Sequence, residues 1–310
     1  MTPQAPTHNK AVIFTVDAGW LGYALLAAQR IITLSRPRDF DIIIASLEPL
    51  PIPRPLADLG IRNEVLNLNE RMRAENLPLR WLPSIAYLRL WLPDIFQDQY
   101  DRILYLDADT YLCSPDLSRL FDIDLGPHAL AAALDKEHFW QGEKPIIDFE
   151  NHGIAANRYF NSGVLLIDTS AFAEQGLLAE MLAVNQSGIT LKYHDQSLLN
   201  MAVQGQFAEL SPRWNWQFPN RFPAYTRMAR PCLIHFSSNP RPWHGYEKET
   251  RFPRPIIETY AGGDTSVPPD RKPLREPLWH QLDNLIGHVQ YLPRYLRYMS
   301  RHKHPFETRL

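Results

Sequence analysis

Two aspartates, Asp107 and Asp109, directly follow an apolar run that is typical of a buried strand, and only Ala108 separates them. Two carboxylates placed side by side there repel each other and lose hydration, so the pair is costly unless a positive charge lies between them. In open α/β sheets, ligands bind beyond the carboxyl ends of the parallel strands. Carboxylate oxygens at that edge suit a hard divalent cation such as Mg²⁺ or Mn²⁺. Taken alone, however, a D-x-D pattern is more often an exposed acidic turn after a strand.

A histidine, His235, ends a second apolar run, CLIHF, so we expect it to emerge at the same edge of the sheet. Together with the two aspartates it would give two oxygen ligands and one nitrogen ligand. Imidazole beside carboxylates favours Mn²⁺ over Ca²⁺, with Mg²⁺ as the alternative ion. A histidine after a strand is more often structural than a ligand, so this position too needs support from the rest of the chain.

Four short segments add groups of the kind that a diphosphate and a sugar require. They contain a cation at Arg89, an amide at Asn161, the pair Asp195 and Gln196, and a second cation at Arg241, six residues beyond His235. Guanidinium groups can pair with phosphate oxygens, and amides and carboxylates can bind sugar hydroxyls. Asn161 could instead bond a strand terminus, and Asp195 could cap the helix that follows it.

The elements that must position these residues alternate between strands and helices. The pattern predicts a mainly parallel sheet with helices on its faces, hence an α/β fold. Strands are expected at 11–16, 41–46, 63–68, 129–134, 159–168 and 232–237, besides the one that precedes Asp107, and helices at 20–34, 83–96, 169–184 and 194–204. Irregular, extended chain is expected over 205–275, which is rich in proline and aromatic residues.

One domain accounts for most of the chain, because no change of composition before about residue 265 resembles a linker. We therefore assign residues 1–265 to a single α/β domain and residues 266–310 to a C-terminal extension, which is basic, aromatic and helical in pattern.

The composition excludes several classes of protein. Lys and Arg total 32 against 34 for Asp and Glu, a formal net charge of −2, so no general attraction to nucleic acid is built in. Two cysteines form neither a disulfide framework nor a thiolate cluster. The first residues lack the apolar segment of a signal peptide, and no apolar run has membrane-spanning length. A cytoplasmic location is therefore expected.

Four sequence blocks taken together are specific for one family. YLDADTYL, YFNSGVLLID, HDQSLLN and HFSSNPRPWH, in this order and at these separations, resemble glycosyltransferase family 8. That family includes bacterial lipopolysaccharide galactosyl- and glucosyltransferases, glycogenin and galactinol synthase. The resemblance runs from about residue 11 to residue 250. It implies a GT-A fold and transfer of a hexose, galactose or glucose, from a UDP-sugar to a glycan or glycolipid acceptor, with retention at the anomeric carbon.

The resemblance also assigns roles at the diphosphate end of the donor. It makes Asp107, Asp109 and His235 the ligands of a Mn²⁺ ion. Ala108 lies against the donor between the two aspartates, and Asp17 matches the position that contacts the uracil or its ribose. Arg89 matches an arginine near the diphosphate or the sugar, and Arg241 stands where the family usually has lysine.

At the sugar end, the resemblance places Asn161, Asp195 and Gln196 around the donor hexose. Gln196 matches the position proposed to face the reacting carbon, and Asp135 matches an acidic position that binds sugar hydroxyls. An amide is a poor nucleophile, so we favour attack by the acceptor hydroxyl on the face that the diphosphate leaves. A covalent intermediate on Asp195 or Asp135 is the alternative mechanism.

The chain departs from the family pattern in the loop after His235 and in the first turn. Ser238 replaces a glycine, which requires a backbone without positive φ or some strain, and Arg241 replaces lysine with a bulkier, forked cation. The first turn reads Ala18-Gly19-Trp20 instead of the polar residues common after the aspartate, which bears on base specificity.

Two other functions are open from the sequence. LDADT fits the nucleophile motif of haloacid-dehalogenase-type phosphatases, in which Asp107 would take the phosphoryl group. Strand-like segments precede it, however, and the later paired aspartates of such enzymes are missing. A catalytically inactive protein that binds nucleotide sugars or glycans is the other alternative, although such a decayed site should lose metal ligands first.

The tail offers a hypothesis about location. Residues 285–310 interleave leucine and tyrosine with basic residues, a pattern that suits an anionic membrane surface carrying a lipid-linked acceptor. A solvated surface helix explains the same pattern equally well. We therefore expect a cytoplasmic protein that is either fully solvated or peripheral to the inner face of a membrane.

Overall fold

The computed structural model describes residues 5–77, 84–141, 146–218, 223–238, 241–244, 254–262 and 278–310. Its strands are β1 (Lys10–Thr15), β2 (Asp41–Ser46), β3 (Ile61–Val65), β4 (Arg102–Leu106), β5 (Thr110–Leu112), β6 (Leu130–Leu134), β7 (Phe160–Asp168), β8 (Ala208–Glu209) and β9 (Leu233–His235).

The α-helices are α1 (Leu21–Leu34), α2 (Arg54–Ala57), α3 (Asn69–Ala74), α4 (Leu92–Phe96), α5 (Leu117–Phe121), α6 (Lys136–Gln141), α7 (Ile147–Asn151), α8 (Thr169–Glu174), α9 (Leu177–Gln186), α10 (His194–Val203), α11 (Pro223–Ala229), α12 (Arg254–Gly262) and α13 (Leu278–Ser300). Three 3₁₀ helices cover Ser84–Leu90, Pro212–Trp214 and Pro242–His244.

A seven-stranded sheet in the order β3-β2-β1-β4-β7-β6-β8 forms the centre of the protein. Strands β3, β2, β1 and β4 pair in parallel, and β8 pairs in parallel with β6. All six residues of β2 are buried, as expected for a strand covered on both faces. The predicted α/β class with a mainly parallel sheet is confirmed.

Strand β7 departs from the parallel pattern, because it runs antiparallel to both β4 and β6. The physical reason lies in the connection that precedes it. The chain leaves β6 at Leu134 and enters β7 at Phe160, and these two residues pair with each other, so the connection starts and ends at one edge of the sheet. Asp135 and Asn161 therefore meet at the edge where β4 ends in Asp107.

A second, two-stranded sheet pairs β5 with β9 antiparallel, and Thr110 is the partner of His235 in its register. The backbone N–H of Phe236 donates to the carbonyl of Asp109 at 2.9 Å, which extends the ladder by one residue. This small sheet joins the segment after β4 to a strand more than a hundred residues later. It thereby brings His235 next to the aspartates.

The helices differ from the sequence-based expectation at several points. The predicted helix 169–184 is divided into α8 and α9 by Gly176, which has a φ of 63°. The predicted helix 83–96 begins as a 3₁₀ turn, with Pro93 in the first turn of α4. Two helices, α11 and α12, lie within the stretch 205–275 that was expected to be irregular.

The C-terminal residues pack against the sheet. Glu209 of β8, which is buried, binds the guanidinium of Arg301 through two hydrogen bonds of 2.8 and 2.7 Å, and His302 at 3.2 Å. The backbones of Glu209 and Arg309 also exchange two hydrogen bonds. The Tyr298 hydroxyl donates to the carbonyl of Leu134. The expected domain boundary at residue 265 lies outside the described residues.

No helix in the described part of the chain combines the length and the apolar character needed to cross a membrane.

Removing the charge of Glu209 tests how far the C-terminal segment supports the fold. Burial alone would raise the pKa of Glu209, but His302 and Arg301 outweigh it and lower the pKa from its ordinary 4.5 to about 2. Glu209→Gln should therefore lower the free energy of unfolding by roughly 2 to 3 kcal/mol at pH 7. Thermal or urea denaturation measures this, with the exposed Glu307→Gln as control.

The same substitution has a signed pH dependence. Because the folded-state pKa of Glu209 is depressed, its contribution is complete above about pH 4.5 and disappears as the pH falls towards 2. The stabilities of the wild type and Glu209→Gln should accordingly converge in acid. A difference in stability between the two proteins that persists unchanged at pH 2, or no difference at pH 7, would contradict the role of the Glu209 carboxylate in binding the C-terminal residues.

Candidate functional site

Three side chains of the predicted site converge at the end of β4. His235 Nε2 lies 3.2 Å from Asp109 Oδ1 and 3.5 Å from Asp107 Oδ2. One ligand atom from each residue falls within 4.8 Å of the other two, so the group could hold a metal ion. Two carboxylates and one imidazole form a donor set suited to Mn²⁺ or a similar divalent ion.

Glycine at position 163 allows two of these side chains to approach the strand closely. A Cβ atom added to Gly163 would stand 2.3 Å from His235 Cε1 and 2.6 Å from Asp107 Oδ2, distances that real side chains do not reach. Gly163 lies beside the end of β4, because its carbonyl accepts a hydrogen bond from the N–H of Asp107 at 2.8 Å. The residues present therefore fit a metal ion in the chemistry and the mutual distances of their donor atoms.

Arg89 compensates the negative charge from within the protein. Its guanidinium contacts Asp107 Oδ1 at 3.0 Å and Asp195 Oδ2 at 3.1 Å, and donates to the carbonyl and the hydroxyl of Ser162. The Tyr105 hydroxyl donates to the same Asp107 Oδ1 at 2.6 Å. Because Oδ1 is held in this way, Oδ2 of Asp107 is the oxygen that faces His235.

Asp109 is buried and lies between a guanidinium and an imidazole. Its Oδ2 lies 3.2 Å from the Arg241 guanidinium, while Oδ1 faces His235. Burial alone would raise the pKa of Asp109, but the charges of His235 and Arg241 lower it below its ordinary value. Arg241 also stands over the rings of Trp20 and Trp243. The arginine that replaces the family's lysine thus reaches the metal ligands.

A network of amides at the sugar side has its orientation fixed by backbone donors. The N–H of Ser162 donates to Gln196 Oε1 at 3.1 Å, and Asn161 Nδ2 donates to the same oxygen at 3.0 Å. Gln196 Nε2 then donates to Asp135 Oδ2 at 3.2 Å, as does Asn161 Nδ2. The carbonyl oxygen of Gln196 is therefore already engaged by two donors within the protein.

Asp195 lies behind this network, buried at the first turn of α10. Burial raises the pKa of Asp195 above its ordinary value, and the charge of Asp107 adds to this, although Arg89 opposes the shift. His194, directly before it, has a φ of 49°, an uncommon backbone angle for a residue with a side chain. Asp195 and Gln196 are thus placed by a strained turn.

Asn215 is a site residue that sequence reasoning missed. Its Oδ1 lies 3.0 Å from His235 Nδ1, and its Nδ2 donates to Asn161 Oδ1 at 2.9 Å. The N–H of Gly163 also donates to Asn161 Oδ1, which identifies that atom as oxygen. Asn215 must then present its own oxygen to His235, so Nδ1 of the imidazole carries a proton and Nε2 is the nitrogen that faces the two carboxylates.

The sequence gives little indication that Asn215 contacts His235. Asn215 is a polar residue between Trp214 and Trp216, and all three are buried. Its position comes from pairing of the segment with β9, since the N–H of His235 donates to the Trp216 carbonyl at 3.0 Å. No spacing rule connects residue 215 to residue 235, so only the folded structure reveals the contact.

Asp107 and Asp109 line a cleft, and Arg89 and Arg241 line it with them. The cleft is lined by Thr15, Val16, Trp20, Ile85, Ala86, Arg89, Tyr105, Asp107, Ala108, Asp109 and Arg241. Asp17 is exposed near this cleft and accepts a hydrogen bond from the N–H of Trp20. Within the described residues, Ser238 is not among the non-glycine positions with positive φ, so it does not require the glycine's backbone freedom.

The sequence profile of glycosyl transferase family 8 matches residues 12–247, which is most of the chain. The chain belongs to glycosyl transferase family 8. The expectation of a hexosyltransferase is confirmed at this level. The phosphatase alternative finds no support, and the proposed inactive binding protein is not favoured either, because the family's metal-ligand positions are present and converge.

Curated relatives of this family 8 chain are distant but cover much of its length. Lipopolysaccharide 1,2-glucosyltransferase of Escherichia coli is 26% identical over 309 residues, covering 91% of this chain and 90% of its own. General stress protein A of Bacillus subtilis is 28% identical, over 61% of this chain and 69% of its own. Lipopolysaccharide 1,3-galactosyltransferase of Salmonella typhimurium is 24% identical, over 71% and 66%.

Solved structures confirm the expected GT-A fold. The galactosyltransferase LgtC, solved with donor and acceptor sugar analogues, superposes with a TM-score of 0.63 at 22% identity, covering 84% of this chain and 98% of LgtC. The bifunctional glycosyltransferase WbbM gives a TM-score of 0.66 at 20% identity, over 85% of this chain but only 51% of WbbM.

Substitutions at Asn215 test its control of His235. Asn215→Leu removes the acceptor for Nδ1–H and should weaken Mn²⁺ binding about 10- to 100-fold, the usual range for such supporting residues. Asn215→Asp keeps an acceptor towards His235 but loses the donor to Asn161, so it should retain most of the affinity. Electron paramagnetic resonance of unbound Mn²⁺ measures both. Equal affinities in the wild type and Asn215→Leu would rule out the positioning role.

Proposed function

We propose that this enzyme transfers a hexose, galactose or glucose, from a UDP-hexose to a hydroxyl group of a glycan or glycolipid acceptor, with retention and in a Mn²⁺-dependent manner. The convergence of Asp107, Asp109 and His235, whose ligand atoms lie within 4.8 Å of one another, carries the proposal. Lipopolysaccharide assembly is the process that we infer, because relatives over most of the chain are lipopolysaccharide hexosyltransferases.

In the proposed complex, Asp107, Asp109 and His235 hold the metal ion and Arg241 meets the diphosphate beside it. A divalent ion at this position neutralises the negative charge that grows on the departing nucleotide diphosphate. Arg89 keeps Asp107 oriented, since its guanidinium contacts Asp107 Oδ1. Ala108 and Asp17 line the donor's path from the aspartates to the nucleoside.

Asp135, Asn161, Asp195 and Gln196 form the proposed sugar side. Gln196 cannot offer its carbonyl oxygen to the anomeric carbon without giving up two donors, Asn161 Nδ2 and the N–H of Ser162. Both oxygens of Asp135 likewise accept hydrogen bonds, and Asp195 is paired with Arg89. These contacts weaken all three as nucleophiles.

We therefore favour front-face attack by the acceptor hydroxyl over a covalent glycosyl-enzyme. In this scheme the incoming oxygen forms its bond to C1 on the face from which the diphosphate departs, and its proton passes to a departing phosphate oxygen. Gln196 Nε2 has a second N–H, which we assign to the donor sugar. Asp195 holds Arg89 and the start of α10 in place around it.

A thermal-shift panel tests the donor and the metal. UDP-galactose or UDP-glucose at about a hundred times its dissociation constant, with Mn²⁺, should stabilise the protein by roughly 2.7 kcal/mol. The stabilisation should disappear in Asp109→Asn and persist in Asp98→Asn, an exposed carboxylate as control. Stabilisation without metal, or of equal size in Asp109→Asn, would contradict the proposed site.

We also propose that the protein works at the cytoplasmic face of a membrane, through helix α13. Val289, Leu292 and Leu296 are exposed by 70%, 38% and 53% and occur at helical spacings of three and four residues, so they share one face. Arg294 and Arg297 lie to one side of this face, while Tyr295 packs inward against Tyr225. An exposed apolar stripe beside arginines suits an anionic lipid surface.

Vesicle sedimentation tests the membrane contact. Because the C-terminal residues are anchored on Glu209, truncation would damage the fold, and point variants are the cleaner probe. Leu292→Ser combined with Leu296→Ser should reduce binding to vesicles containing anionic phospholipid several-fold. Leu59→Ser, an exposed leucine far along the chain, should not. If the double variant sediments like the wild type, α13 is a solvated surface helix.

A further inference from the structure

Lys136 places a positive charge between the two halves of the site. It is the first residue of α6 and directly follows Asp135, whose carboxylate binds the amides of the sugar side. Its ammonium group reaches across to the hydroxyl of Ser237 at 3.3 Å. Ser237 lies two residues beyond His235, in the segment that carries the metal ligand. Lys136 therefore joins the sugar side to the metal side of the site.

The other cations of the site have carboxylate partners, whereas Lys136 has none among the described residues. Arg89 contacts Asp107 and Asp195, and Arg241 contacts Asp109. In the part of the chain that the structure describes, the ammonium of Lys136 has the Ser237 hydroxyl as its hydrogen-bond partner and no ion pair.

Neighbouring carboxylates compensate this charge only from a distance, because each forms its hydrogen bonds with other groups. Asp135 Oδ1 accepts from the N–H of Glu137, and its Oδ2 from the two amides. The Glu137 carboxylate is bound by Lys192 and Tyr193. Burial lowers the pKa of Lys136, even though the nearby carboxylates act to raise it. An ammonium desolvated without a counter-ion costs free energy, which an anionic ligand would recover.

We propose that Lys136 binds the terminal phosphate of the donor's diphosphate, as a second cation opposite Arg241. This rests on the proposed function and adds a residue to it. The terminal phosphate is the group bonded to the sugar, so it must lie between the sugar side and the metal ligands, where the Lys136 ammonium stands. A lysine meets a phosphate as a compact point charge and needs no fixed fork geometry.

Binding of UDP and UMP to Lys136→Met in the presence of Mn²⁺ tests this assignment. Calorimetry should show UDP affinity lowered about 10- to 100-fold, the range for a hydrogen bond to a charged group, and UMP affinity unchanged, because UMP lacks the terminal phosphate. Lys192→Met, which removes a neighbouring lysine paired with Glu137, should bind UDP like the wild type. Without ligand, Lys136→Met should melt no lower than the wild type, because it removes an uncompensated charge.

Three results would overturn the inference. They are unchanged UDP affinity in Lys136→Met, an equal loss for UDP and UMP, or a loss as large in Lys192→Met. A wild-type protein that binds no UDP with Mn²⁺ would instead refute the proposed function itself, so the two failures are distinguishable.

Discussion

Asp107 and Asp109 hold two negative charges at a largely buried sheet edge, and the protein meets them with two guanidinium groups and an imidazole from two distant parts of its chain. Arg89 comes from the 3₁₀ turn before β4, His235 from β9, and Arg241 from the loop that follows. These contacts tie both parts to the end of β4. The charge of the pair therefore organises the tertiary structure around the site as well as its chemistry.

Hydrogen bonds fix the orientation of the amide and imidazole side chains around these charges. Backbone N–H groups of Ser162 and Gly163, at the start of β7, fix which atoms of Gln196 and Asn161 are oxygens. Asn161 Oδ1 in turn orients Asn215, and the oxygen of Asn215 orients the imidazole of His235. Because the first donors belong to a sheet strand, amides and imidazole are held before any ligand arrives, and little reorganisation is needed when it binds.

Much of this was predictable from sequence, for physical reasons that can be named. The strands of the parallel half are apolar runs buried on both faces, and Asp107 directly follows one of them, whereas His235 ends an apolar strand of the separate two-stranded sheet. The antiparallel direction of β7 was not predictable, because it depends on where the connection after Asp135 returns to the sheet. This antiparallel direction brings Asn161, at the start of β7, to the sheet edge where β4 ends.

Contacts between individual polar residues were also not predictable from the sequence. No sequence spacing relates Asn215 to His235, or Lys136 to Ser237. Their roles depend on which neighbouring groups already have hydrogen-bond or ion-pair partners. The docking of the C-terminal residues on Glu209 was equally hidden, since the basic residues of the tail suggested a surface and one of them, Arg301, is bound by a buried carboxylate. Sequence pattern predicts faces and strand ends well, but not which charges remain uncompensated.

Anomalous X-ray diffraction from crystals grown with MnCl₂ and UDP tests the central claim most directly. The account predicts a manganese peak in contact with Asp107 Oδ2, Asp109 Oδ1 and His235 Nε2, and bridged to the diphosphate oxygens. UDP bound in the cleft with manganese elsewhere, or with any of these three side chains turned away from the ion, would contradict it.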